Sequence, residues 1–181
     1  MTAGLNAQPR DCSVNVYVLT DVATPGASIL LYGAKLKAVA MFREIGVNIR
    51  MRDGIPAGVP SDTCGAPIMV LLENANYYPG SAEALAYATP YKESGTRIHV
   101  FLDRVLLNRK PTLANALLAH VMVHEITHVL EQVKRHSEEG VMRAHWSHED
   151  YRRMERNPHH FGGRTTTSIP GRSPYSGPSF R

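Results

Sequence analysis

A histidine, a glutamate and a second histidine stand at positions 124, 125 and 128, in the order His-Glu-x-x-His. Residues four apart lie one turn apart on nearly the same face of a helix, so His124 and His128 can aim their imidazoles at one metal ion. Glu125 projects beside them, within reach of a metal-bound water rather than of the metal. This is an arrangement for a Zn²⁺ Lewis acid with a carboxylate general base. Zinc lowers the pKa of its water to about 7, which makes hydroxide available at neutral pH. The competing account is a solvated, histidine-rich helix face. It explains less well why the match falls in the best-formed helix, late in a β/α order.

Two histidines do not complete a catalytic zinc site, so a third ligand is needed. His120 lies one turn earlier, but a rise of ~1.5 Å per residue puts it ~12 Å from His128 along the axis. It is a packing or supporting residue. Downstream stand His136, His145, His148 and Glu149, with Glu138 and Glu139 weaker candidates. His136 can serve only if the helix ends before it and the chain folds back. Lys134 and Arg135 suit a helix C-terminus, and Ser137 and Gly140 suit a turn. No glycine lies between His128 and His136, so a residue such as Gln132 would have to take the left-handed conformation, at some strain. Glu149 would instead arrive on a second helix, "SHEDYRRMER" (147–156), with Ser147 as its cap. Both routes stay open on these grounds.

The elements that must position these groups follow from periodicity. "SVNVYVL" (13–19) and "VNIRMR" (47–52) alternate and predict strands. Between them, residues 28–44 carry apolar side chains at helical spacing, with Ser28 as a candidate cap and Gly46 as the stop. Residues 53–66 are rich in Gly, Pro, Asp and Ser and predict a loop. "PIMVLLE" (67–73) predicts a strand buried on both faces. "ALAYAT" (84–89) and "RIHVFLD" (97–103) predict two more strands, and 112–132 predicts the long helix, capped by Thr112. The order β-α-β-β-β-β-α implies an α+β fold. Its early β-α-β unit requires parallel strands, and the later strands allow an antiparallel one.

With 181 residues, 43 % of them hydrophobic and 20 % charged, the composition is that of one globular domain. The longest apolar run, around Ala27–Phe42, is broken by Lys35 and Lys37, so no membrane span is expected. A net charge of +4 owes much to arginines after residue 142 and does not describe a nucleic-acid groove. Residues 1–10, "MTAGLNAQPR", lack an apolar signal core. From 157 the chain turns Gly/Pro/Ser/Thr/Arg-rich and predicts a flexible tail, whose His159 and His160 can take metal adventitiously. Cys12 and Cys64 form no C-x-x-C pair; a bridge and two buried thiols are equally compatible with the sequence. His145 and His148 are expected on the surface, His99 facing solvent or packing, Trp146 packing under the site, and Tyr151 as an ordinary helix residue.

With His136 as third ligand, the stretch "HEITHVLEQVKRHSEEGVM" resembles the metzincin metalloproteases. That clan carries His-Glu-x-x-His-x-x-Gly-x-x-His and a methionine in a tight turn beneath the metal. Here the second-to-third histidine spacing is eight rather than six, and Glu131 stands where the clan has glycine. The chain is more similar to a group of predicted secreted bacterial proteases of matrixin-like type. Their third histidine comes eight residues on and opens "HS-x-x-GIMRA-x-W-x-x-ED", against "HSEEGVMRAHWSHED" here. "ALAYATP…VFLDRV" is also similar. Thr127 and Gln132 replace that group's usual glycines.

The resemblance implies a zincin-like fold. It would have a mixed, mainly parallel sheet with one antiparallel edge strand, two main helices, the active-site helix and a small C-terminal subdomain. It implies a catalytic domain over 12–156 between an N-terminal remnant (1–11) and the tail (157–181). It makes His124, His128 and His136 the ligands of one catalytic Zn²⁺, Glu125 the base and Met142 the supporting methionine. It makes Ala84, Leu85, Ala86, Tyr87 and Ala88 the strand beside which a peptide substrate adds. It favours a Cys12–Cys64 disulfide and a secreted or periplasmic location, with the cytoplasm as the alternative. The expected activity is that of a monomeric zinc endopeptidase acting on peptide or protein substrates through a glutamate-activated zinc-bound water, without specific nucleic-acid partners. Two other functions compete: a gluzincin-type hydrolase with Glu149 as third ligand, and a non-catalytic zinc-stabilised binding module whose basic tail contacts anionic partners.

Overall fold

A computed structural model of the chain describes residues 12–20, 22, 26–58, 60–75, 83–91, 95–107, 109–132 and 134–157. The expected N-terminal remnant, residues 158–181 of the expected tail, and its His159 and His160 lie outside them. Five strands form one sheet in the order β2-β1-β3-β5-β4. They are β1 (Val14–Thr20), β2 (Ile49–Asp53), β3 (Ile68–Glu73), β4 (Ala86–Tyr91) and β5 (Gly95–Phe101). β1 runs parallel to β2 and β3, and β3 runs parallel to β5. β4 is antiparallel to β5, with Tyr87 opposite His99. This is the expected α+β arrangement of a mainly parallel sheet with one antiparallel edge strand.

The alternation of side chains along a strand sets which residues face the helices. Val14, Val16 and Val18 from β1, Ile68, Val70 and Leu72 from β3, and Ile98 and Val100 from β5 are all buried in one apolar core. Helices α1 (Ala27–Glu44) and α3 (Pro111–Glu131) contribute Ala34, Ala38, Met41, Phe42, Leu117, Leu118, Met122 and Ile126 to it. The two helices also approach each other at Gly33. A Cβ there would lie 2.6 Å from Asn115 Nδ2, which donates to the Leu30 carbonyl at 2.6 Å. By length and composition α3 could cross a membrane, against the expectation that no stretch would. Here it is a core helix, and its apolar residues meet the rest of the fold.

Several expected boundaries move. Helix α1 begins after Gly26, whose positive φ of 79° makes the turn, and Ser28 caps nothing. Helix α3 begins after Lys110 with Pro111 in its first turn, so Thr112 is not its cap. Proline fits there because its missing N–H has no intrahelical partner to lose. Thr112 instead donates to Glu155 at 3.0 Å, which ties α3 to α4 (His148–Arg156). The strand expected over 97–103 stops at Phe101, where a short helix, α2 (Leu102–Leu106), takes over. Its Leu102 and Val105 are buried. β4 starts two residues later than expected. Ala84 and Leu85 precede it, and their carbonyls accept from Arg104 and from the Phe101 N–H.

Cys12 and Cys64 are bridged across 52 positions. Around them Ser13 N–H donates to the Asp62 carbonyl, Cys64 N–H to the Ser13 carbonyl, and Asn15 to Thr63 at 2.7 Å. The loop before β3 is thereby pinned to the start of β1.

Candidate metal centre

The second half of α3 carries His124, Glu125 and His128 on the side facing a cleft. His124 Nε2 and His128 Nε2 are 3.0 Å apart. His136 reaches the same point from beyond the helix: its ring centroid lies 5.3 Å from that of His124 and 5.0 Å from that of His128. One nitrogen from each of the three rings falls within 4.8 Å of the others. An ion holding imidazoles at ~2.0–2.1 Å in a tetrahedron requires nitrogens about 3.3 Å apart, so this donor set fits Zn²⁺.

The chain reversal that brings His136 back begins at Gln132. This residue ends α3 in the left-handed conformation, φ 54° and ψ 34°. Among the described residues it is the one non-glycine with positive φ. A tight turn follows the third histidine. Ser137 N–H donates to the Met142 carbonyl at 2.8 Å, and Arg143 N–H donates to the Gly140 carbonyl. Gly140 has φ 74°. The same turn orients the first histidine, because His124 Nδ1 donates to the Val141 carbonyl at 2.8 Å. That bond leaves His124 Nε2 bare to bind a metal. A backbone carbonyl leaves no trace in side-chain patterning, so Val141 escaped the sequence reading. Met142 is half-buried and packs on the core. Arg143 meets Asp150 at 2.7 Å, and Asp150 also completes a capping box with Ser147 at the start of α4.

The remaining candidates fall elsewhere. His120 is buried and bonded through Nδ1 to the Ala116 carbonyl at 2.8 Å. Trp146 sets its ring edge-on to both His120 and His124, at 6.4 and 5.7 Å. Glu149, the alternative ligand, faces Arg152, Arg153 and Arg156, which hold its carboxyl below the usual range. It is not part of the histidine group. His145 and His148 are exposed, and Tyr151 packs half-buried with the Arg109 guanidinium over its ring. His99 packs rather than facing solvent: it stacks on Tyr87 with centroids 4.6 Å apart and pairs with Glu73 at 3.0 Å.

Burial shapes the proton affinities. It pushes the Glu125 carboxyl up to about 7. It pushes His124 down to about 4, opposed by the Val141 bond and helped by the neighbouring His128 and His136. The cleft measures about 730 Å³. Besides the three histidines and Glu125, Tyr87 and Ala88 of β4 line it, as do Ala66, Ile68, Leu130 and Lys134. Of the five residues expected to bind a peptide, Ala86, Tyr87 and Ala88 lie on β4, and Ala84 and Leu85 do not.

Sheet, helices and histidine group together define a zincin-like α+β fold. No family model matches the chain, and no curated protein does. Among solved structures, archaemetzincin from Methanopyrus kandleri is similar with a TM-score of 0.52. The match covers 84 % of this chain and 91 % of that one at 16 % identity. The shared property is the fold.

Proposed function

We propose that the chain is a zinc-dependent endopeptidase of metzincin type. The observation that carries this is the convergence of His124, His128 and His136 in a cleft that also holds the half-buried Glu125. The fold shared with archaemetzincin supports it. Zinc in this site would supply Lewis acidity and ready deprotonation of water. Glu125 would accept a proton from the attacking water and return it to the leaving amine nitrogen. A carboxyl held near neutrality suits both transfers. The N–H groups and carbonyls on the outer edge of β4 would bind an extended peptide as an added strand. Ala86, Tyr87 and Ala88 would take part in that pairing. Met142 would sit beneath the metal, held by the turn that also orients His124.

The finer assignment to the secreted matrixin-like type rests on the "HSEEGVMRAHWSHED" stretch. Export is supported by the Cys12–Cys64 bridge, since such bonds persist in oxidising compartments. Metal analysis and cleavage of an unfolded protein substrate test the function. Glu125→Ala is expected to keep zinc and lose activity by about 10²–10⁴-fold; full activity with zinc bound would overturn the mechanism. His136→Ala should release zinc and Glu149→Ala should not. The opposite result would make Glu149 the third ligand.

A further inference from the structure

The cleft walls are mostly apolar, and their described lining holds one acidic side chain, Glu125, and one basic side chain, Lys134. Glu125 is committed to proton transfer. A ligand entering the cleft therefore meets one side-chain cation. Lys134 is exposed and stands two residues after Gln132, which ends α3 in the left-handed conformation, and two before His136, a member of the histidine group. At ~3.3–3.6 Å per residue its Cα lies within about 7 Å of that of His136. Arg135, its neighbour, leans toward Glu131 at 4.0 Å. Among the described residues Lys134 has no ion-pair partner.

We propose that Lys134 is a specificity-determining residue that favours peptides presenting a carboxylate close to the scissile bond. The proposal rests on the peptidase reading above. The carboxylate can come from an Asp or Glu side chain or from the free C-terminus of a short peptide. An ammonium group in water gains little from one partner. Against an apolar wall its field is less screened, which enlarges the gain. The plain alternative is a solvated lysine that serves only the C-terminal end of the α3 dipole.

The test compares peptides identical except for Glu, Gln or Lys flanking the scissile bond, each with a free or an amidated C-terminus. The wild type should prefer Glu over Gln by ~3–5-fold in kcat/KM. Lys134→Met should bring that ratio close to one, and Lys134→Glu should reverse it in favour of Lys. Loss of zinc or of fold scales all substrates alike, so the ratio is read even from a damaged variant. A preference confined to free C-termini identifies the chain end as the source; one that survives amidation identifies the side chain. Ratios unchanged in both variants overturn the proposal. Fluorescence anisotropy of the labelled Glu and Gln peptides on Glu125→Ala protein reads binding without turnover. If no peptide is cut by any form, the peptidase reading falls. Lys134 is then judged by whether Lys134→Met, in that background, abolishes tighter binding of the Glu peptide.

Discussion

Glu125 and His124 are neighbours on one helical turn, and the same burial drives their proton affinities in opposite directions. In the metal-free protein Glu125 is raised from 4.5 to about 7. Between those values the folded state holds more protons than the unfolded one, so this residue removes stability as pH rises through the window. His124 is lowered from 6.5 to about 4. Between those values the folded state holds fewer protons, so this residue adds stability as pH rises. The two slopes offset one another between about pH 4.5 and 6.5. Above that only the cost of ionised Glu125 remains, roughly 3 kcal/mol. Glu125→Gln should therefore stabilise the chelator-treated protein by roughly 2–3 kcal/mol at pH 8, with the gain shrinking to nothing below about pH 4.5. Urea unfolding across this range checks it. A gain independent of pH would show that the carboxyl is not held in a desolvated place.

At the scale of elements, the centre depends on how α3 stops. A left-handed residue costs a side chain roughly 1–2 kcal/mol, and a β-branched one more. Gln132→Gly should leave stability within about 1 kcal/mol of wild type, because relief of strain offsets the extra freedom of the unfolded chain. Gln132→Val should lower stability by more than the glycine variant does and weaken zinc binding, since His136 hangs from this turn. Equal zinc affinity in the two variants would separate the turn from the metal site. This reversal was legible in advance, because three histidines with helical rise admit few geometries. The succession of strands and the parallel start were legible from apolar alternation and the β-α-β pattern, whereas the antiparallel edge strand was implied by the family resemblance and the order within the sheet was not legible. The caps were not. Ser28 and Thr112 have suitable side chains, but Gly26 and Pro111 determine where α1 and α3 start through backbone preference. Helix α2 was hidden because five residues, "LDRVL", carry too little periodicity to be told from a strand end. The shift of β4 has a similar cause, since "ALAYAT" is apolar enough at Ala84 and Leu85 to read as strand.

For the molecule as a whole, two staples act on different parts of the chain. The metal would join α3 to the segment after it, and the disulfide closes the first third of the fold. The bridge spans 52 positions, enclosing β1, α1 and β2. Constraining a loop of that length in the unfolded chain is worth about 4 kcal/mol on the chain-entropy account. Cys12→Ser with Cys64→Ser should therefore lower the thermal midpoint by roughly 10 °C, at ~2–4 °C per kcal/mol for a domain of this size. Chelation should lower it separately, by an amount that grows with the zinc concentration it replaces. The two losses, converted to free energy, should add to within about 0.5 kcal/mol if the segments are independent. Cys64 also lines the cleft shared with His124, His128 and His136. If the wall at Cys64–Ala66 helps hold the histidine group in place, zinc affinity will fall in the double-serine variant and the losses will exceed their sum. Calorimetry of four samples, wild type and variant with and without chelator, decides between independent staples and one coupled cleft.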